Sequence, residues 1–158
     1  MKKPIYITPE FAVSGALSAE DFAQVAAMGF KSILSNLPDG ESAAHLTSRQ
    51  EVALAAQAGL EYRHVPAVKL DLFSERLIET MDSSLRLLPR PVLAHCASGL
   101  RSAIAWAAVA ARTQPTESVL AKLRAAGLDL EMIRDDLDAI RGQGRSAQPR
   151  PMLEMNAA

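Results

Sequence analysis

The feature that most constrains this chain is a regular alternation of short apolar segments with longer stretches of helical period. Segment 4–15 reads as two short strands around Pro9-Glu10, and 30–37, 60–68 and 91–95 read as further strands. Between and after them lie helical stretches at 17–29, 47–59, 74–88 and 101–112, then 116–126 and 129–141. Several carry start and stop chemistry. Ser18 and Asp21 form an S-x-x-D start, Thr47 and Gln50 a capping box, and Gly29 and Gly59 suit the residue after a helix end. "PDGE" at 38–41 is turn chemistry. Alternation of this kind predicts a three-layer αβα domain around a parallel or mixed sheet of four to five strands. In such sheets ligands bind beyond the carboxyl ends of the strands. The stretch "RSAIAWAAVAAR" is apolar on nearly every side, so its helix should lie deep, with Trp106 in the core. From Gly142 the period fades, and 142–158 reads as a tail after a domain spanning 1–141.

Composition narrows the class. With 158 residues and 49% apolar content, the chain has material for one cored domain. Its net charge is −1, and neither sign forms a long block, which argues against nucleic-acid and membrane-surface partners. No secretory leader core and no 18-residue apolar run is present, so a soluble cytoplasmic domain is the expectation. The single cysteine excludes an internal disulfide and a C-x-x-C pair. His45 and His64 lack metal-ligand spacing, so no metal or cofactor is expected. The acid-rich stretch near 129–141 reads as a solvated helix face.

That one cysteine stands where a functional loop belongs. Cys96 follows the "PVLAH" strand and precedes the deep helix. Between strand and helix runs Cys96-Ala97-Ser98-Gly99-Leu100-Arg101. If this loop wraps around a point, its backbone N–H groups and the helix N-terminus converge there. Gly99 permits a positive φ or a close approach, and the Arg101 guanidinium can grip two oxygens of an anion. The expected product is an anion cup with a thiol at its base. The same field favours the thiolate, the nucleophilic form of the side chain. Ser102 is placed to donate a hydrogen bond to the sulfur, and His95 to orient the loop. A core cysteine would need none of these neighbours.

"HCASGLRS" followed by a buried helix resembles the signature loop of the protein tyrosine and dual-specificity phosphatases. The wider chain is similar to the phosphatase-like domain of beta-lactamase-hydrolase-like proteins. The similarity runs through "YITPEFAVSGALSAEDF", "GFKSILSNLPDGE", "AAQAGLEYRHVPA" and "PVLAHCASGLRSAIAW" to "AAGLDL", about residues 5–135. It implies a phosphatase-like αβα fold with Cys96 as nucleophile and Arg101 as anion binder. It also implies a general acid after the "YRHVPAV" strand, near Lys69. Asp71 is the nearest carboxylate there, and Asp39, with Glu41 beside it, is the second candidate.

One departure matters. The resembling phosphatases place five residues between Cys and Arg, whereas four stand here, as in the active loop of rhodaneses. A shorter loop narrows the cup and suits a terminal sulfur. Three readings follow. The first is a cysteine-dependent hydrolase of a phosphoester, working through a phosphocysteine. The second is a sulfurtransferase that forms a Cys96 persulfide from a sulfane sulfur donor. The third is a non-catalytic anion-binding module. Each implies a small anionic ligand, and the resemblance adds a metallo-hydrolase-like partner.

Overall fold

The computed structural model describes residues 2–147. Five strands and six helices alternate along it. They are β1 (Ile5–Thr8), β2 (Phe11–Ser14), α1 (Asp21–Ala27), β3 (Ser32–Ser35), α2 (Ser48–Gln57), β4 (Glu61–His64), α3 (Glu75–Leu87), β5 (Val92–His95), α4 (Leu100–Ala110), α5 (Thr116–Ala125) and α6 (Arg134–Ala147). Short 3-10 turns occupy Lys69–Asp71 and Glu131–Ile133. The strands form one mixed sheet in the order β1-β2-β5-β3-β4. β1 runs antiparallel to β2, and every other pairing is parallel. The expected three-layer αβα architecture is therefore present, with β5 at the centre.

Alternation along each strand sorts the two faces. Ala12, Ile33 and Leu93 share one face with Phe22 and Val25 of α1 and Ala55 of α2. Val13, Leu34 and Ala94 face the larger core built with α3, α4, α5 and α6. As the sequence implied, α4 is deep. Eight of its residues, Ser102 to Ala108 and Ala110, are buried, and Trp106 stacks on Phe11 at 6.2 Å between centroids. Small alanines let this helix approach the sheet closely on one side and its neighbours on the others.

Three boundaries differ from the sequence reading. Helix α1 begins at Asp21 rather than near 17, with Glu20 as its N-cap, and the Ser18 amide donates to the Asp21 carboxylate at 2.8 Å just ahead of it. The strands predicted over 30–37 and 60–68 are each four residues long, and the ladder continues past them as single bonds from Asn36, Val65 and Ala67 amides. Where a tail was expected from Gly142, the helix α6 runs on to Ala147. A glycine inside a helix costs only about 1 kcal/mol, and the first proline lies at 149. The rest of that expected tail, 148–158, lies outside the described residues. Among the described residues no helix is long and apolar enough to cross a membrane.

Leu93 is 0% exposed in the middle of the central strand. Leu93→Ala should cost about 2–5 kcal/mol of stability. Urea unfolding followed by the fluorescence of Trp106, the sole tryptophan, measures it.

Candidate active site

The carboxyl ends of four strands meet in one register row. Ser14 pairs with His95, His95 with Ser35, and Ser35 with His64. On this face the sheet thus changes from apolar Ala12, Leu93 and Ile33 to a polar rim one step further along. The chain leaves the row at Cys96, which is 0% exposed. The loop then folds back over the sulfur, and the Gly99 N–H donates to Cys96 Sγ at 3.0 Å.

Two close backbone approaches make that reversal possible. Gly99 has φ 95°, and a Cβ there would lie 3.3 Å from the carbonyl carbon and oxygen of Ser14. Gly15 lies opposite, and a Cβ on it would come within 3.0 Å of the Ala97 carbonyl oxygen. Hydrogen bonds link the same segments. The Ala16 amide donates to Ala97 O at 3.2 Å and the Cys96 amide to Ser14 O at 3.4 Å. Ala97 and Ser98 are exposed at the loop's crest. The Ser98 hydroxyl accepts from the Leu100 amide at 3.3 Å, at the start of α4.

Arg101 is brought to the same place and held from outside the loop. Its Nη1 donates to Glu41 Oε2 at 2.7 Å and to Ala67 O at 2.8 Å, while Nη2 donates to Glu41 Oε1 at 2.8 Å. A guanidinium has five N–H donors. These bonds use three of them and leave Nε–H and one Nη2–H outside them, and the guanidinium also interacts with the Cys96 side chain. The hydrogen bonds that Arg101 donates to Glu41 raise its pKa above the ordinary value against the cost of burial, with further support from the charges of Glu41 and Cys96 and a side-chain hydrogen bond to Cys96. In return Arg101 holds the Glu41 carboxyl below its ordinary value, helped by the charges of His45 and Lys69.

The two acid candidates part ways. Asp39 accepts from the Ser48 amide at 2.7 Å and the Ser48 hydroxyl at 2.6 Å, tying its loop to the first turn of α2. These bonds lower its pKa, which keeps it ionised and unsuited to giving up a proton. Asp71 ends the 3-10 turn that follows Ala67, the residue whose carbonyl Arg101 grips. Its carboxylate makes no hydrogen bond among the described residues. The Ser102 hydroxyl, one residue past Arg101 on α4, is buried and lacks a partner among the described residues. An orphan hydroxyl in a buried place needs a reason, and a charge arriving in the cup supplies one.

His95 is fully buried, and its Nε2 lies 3.0 Å from Glu51 Oε1 on α2. Tyr62 of β4 donates to that same oxygen at 2.7 Å. The sequence reading missed Glu51, and it named Glu41 without a role. Glu41 sits inside ordinary turn chemistry. Glu51 sits one residue past the capping box, where an acid is common on any helix. Among the described residues no three His, Cys, Asp or Glu side chains are placed to hold a metal.

Residues 5–113 match the family described as the phosphatase-like domain of beta-lactamase hydrolase-like proteins. The chain is 32% identical over 100 residues to the beta-lactamase hydrolase-like protein of Agrobacterium fabrum, covering 63% of this chain and 23% of that one. The match thus spans less than a quarter of that relative's length. Among solved structures, a candidate phosphatase from Neisseria meningitidis superposes with a TM-score of 0.75 at 29% identity, over 87% of this chain and 97% of that one. Kinase associated phosphatase, with its catalytic site cysteine replaced by serine, superposes with a TM-score of 0.64 at 19% identity, over 94% and 100%. At that identity the likeness shows the fold alone.

The Glu41–Arg101 pair has a defined pH response. Because the folded Glu41 pKa lies below the ordinary 4.5, its stabilisation is complete above that value and disappears as pH falls through the folded one. Glu41 is exposed enough to keep the effect at about 0–1 kcal/mol. The stability gap between wild type and Glu41→Gln should therefore shrink from about pH 6 to about pH 3, as urea unfolding at each pH would show.

Proposed function

Since the chain belongs to the phosphatase-like domain family of beta-lactamase hydrolase-like proteins, we propose that it is a cysteine-dependent phosphatase of a small phosphoester. The observation that carries the reading is the convergence on one sulfur. A loop amide donates to Cys96 Sγ at 3.0 Å, and the Arg101 guanidinium, with two N–H groups outside its bonds to Glu41 and Ala67, interacts with the same side chain. Donors fixed in a dry site before the reaction are what a developing phosphoryl charge requires.

In the proposed reaction Cys96 Sγ, as thiolate, attacks phosphorus in line with the leaving oxygen. An S–P bond forms as the P–O bond breaks, and its electron pair leaves on the oxygen. Those two N–H groups of Arg101 and the loop amides hold the equatorial oxygens. Glu41 and Ala67 keep the guanidinium oriented. Asp71 gives its proton to the leaving oxygen, because Asp39 is committed as an anion to Ser48. Ser102 donates to the sulfur when it becomes the leaving group. Water then hydrolyses the phosphocysteine, with Asp71 taking the proton back.

The four-residue spacing between Cys96 and Arg101 favours a second reading. There the thiolate attacks the outer sulfur of thiosulfate, sulfite departs with the bonding pair, and a Cys96 persulfide remains. Sulfite leaves without needing a proton, so this chemistry makes no demand on Asp71.

Intact-mass analysis separates the readings. Rapid quench with nitrophenyl phosphate should trap one phosphoryl group on wild type and none on Cys96→Ala. A gain of sulfur from thiosulfate with no trapped phosphoryl group would replace the phosphatase by the sulfurtransferase, and neither gain would leave an anion-binding module. For the acid, Asp71→Asn should slow an alkyl phosphate by roughly 10²–10⁴-fold and nitrophenyl phosphate far less. Asp39→Asn should leave the ratio of the two rates where it was. A changed ratio in Asp39→Asn alone would reverse the assignment.

A further inference from the structure

The chemistry above gives no part to the carboxylate buried behind the cup. Glu51 is 2% exposed, and an ionised group in such a place is costly unless paired and hydrogen-bonded. Both of its bonds described above fall on one oxygen. Tyr62 donates to Oε1 at 2.7 Å, and His95 Nε2 lies 3.0 Å from it. Burial, then the hydrogen bond to Glu51, pushes the Tyr62 phenol far above its ordinary pKa, so it remains a donor. Facing a carboxylate oxygen, His95 Nε2 bonds as a donor when it carries a hydrogen, and Nδ1 on the other side of the ring lies 3.5 Å from the Cys96 carbonyl oxygen.

His95 is the last residue of the central strand and the neighbour of Cys96. Its carbonyl accepts from the Asn36 amide at 2.7 Å. Ring and carbonyl are thus both held, and the peptide joining His95 to Cys96 is fixed in orientation. That peptide sets the direction in which the cysteine side chain leaves the strand. The chain of contacts runs from α2, through Glu51 and His95, to the backbone of the nucleophile.

We propose that Glu51 is a positioning residue for the nucleophile. It locks His95 in its Nε2–H form and, through that ring and the end of β5, aims Cys96 Sγ into the cup. Glu51 touches neither the sulfur nor the anion. The inference rests on Cys96 being the reacting group, but its first readout needs no turnover and stands or falls separately from the phosphatase reading.

The chain has three histidines, so long-range ¹H–¹⁵N spectra can resolve each ring. In the wild type His95 should show a protonated Nε2 with a slowly exchanging hydrogen. A ring protonated only on Nδ1, or one averaging between tautomers, overturns the proposal whatever the enzyme's reaction. Kinetics supply the second arm. Glu51→Leu removes the acceptor at similar volume, and Glu51→Gln keeps an oxygen in its place. On nitrophenyl phosphate, kcat should fall roughly 10- to 100-fold in Glu51→Leu with KM within about threefold, and Glu51→Gln should restore most of it. A folded Glu51→Leu protein with wild-type kcat, or one that changes KM alone, overturns the assignment. If that variant does not fold, Tyr62→Phe takes its place, since it removes one anchor of Oε1 without opening a cavity. It should lower kcat by a smaller factor at constant KM, and an unchanged kcat would again overturn the proposal. Should the phosphoester not be turned over, the rate at which Cys96 gains sulfur from thiosulfate reads the same effect.

Discussion

Two strand ends interlock through bare backbone, and the fold of the loop over Cys96 depends on that contact. The loop after β5 can bend over Cys96 only if residue 99 adopts a positive φ and lies against the Ser14 carbonyl. The loop after β2 can pass it only if residue 15 leaves room for the Ala97 carbonyl. A side chain at either position would push the segments apart. The Gly99 amide would then leave the sulfur, and the bond at 3.0 Å that satisfies the buried thiol would be lost. Since β2 and β5 are paired in parallel register, their ends arrive together, and sheet topology delivers both glycines to one point.

Most of the remaining support comes from one stretch of chain, between the ends of β3 and α2. Asn36 fixes the His95 carbonyl, Glu41 holds Arg101, and Glu51 holds the His95 ring. Asp39 ties the same stretch to the start of α2 through Ser48, and Thr47 caps that helix. These are polar contacts at the carboxyl end of the sheet, where the register row of Ser14, His95, Ser35 and His64 replaces apolar side chains. Burying such groups is unfavourable unless each finds a partner. The wall around the cup therefore does two jobs at once. It satisfies the polar rim of the sheet, and it fixes the base and the arginine of the site.

The parts legible in the sequence were those written in local chemistry. Strand–helix alternation gave the layers, Thr47 and Gln50 gave the start of α2, and the strand–Cys–Gly–Arg–helix order gave the loop that turns back over Cys96. Glu51 was not legible, because its importance depends on β4 and β5 arriving beside α2, and no residue near it in the chain announces that. Glu41 failed for the same reason, being sixty positions from Arg101. For Asp39 the partner was the part that could not be read. A carboxylate in a loop near the strand ends suits a general acid, and here it accepts from the amide and the hydroxyl of Ser48 at the start of the following helix. The end of α6 was not legible because two glycines lower helical propensity without forbidding the helix.

What distinguishes the possible chemistries is the leaving group more than the nucleophile. A thiolate under an amide and an arginine attacks phosphorus or sulfur with the same geometry. An alkoxide, however, departs slowly unless a proton reaches it, whereas sulfite is stable as an anion. The site has one carboxylate anchored as an ion pair to Arg101 and another bonded to Ser48, and both are held in the ionised form. Neither has a proton to give near neutral pH. The demand for an acid therefore falls on the segment beyond Ala67, where Arg101 already grips the backbone. Because that grip comes through a carbonyl, it fixes the approach of the segment without fixing the side chains at 68–71. In the proposed phosphatase reaction that acid is Asp71, whereas a substrate whose departing group needs no proton makes no demand on this turn.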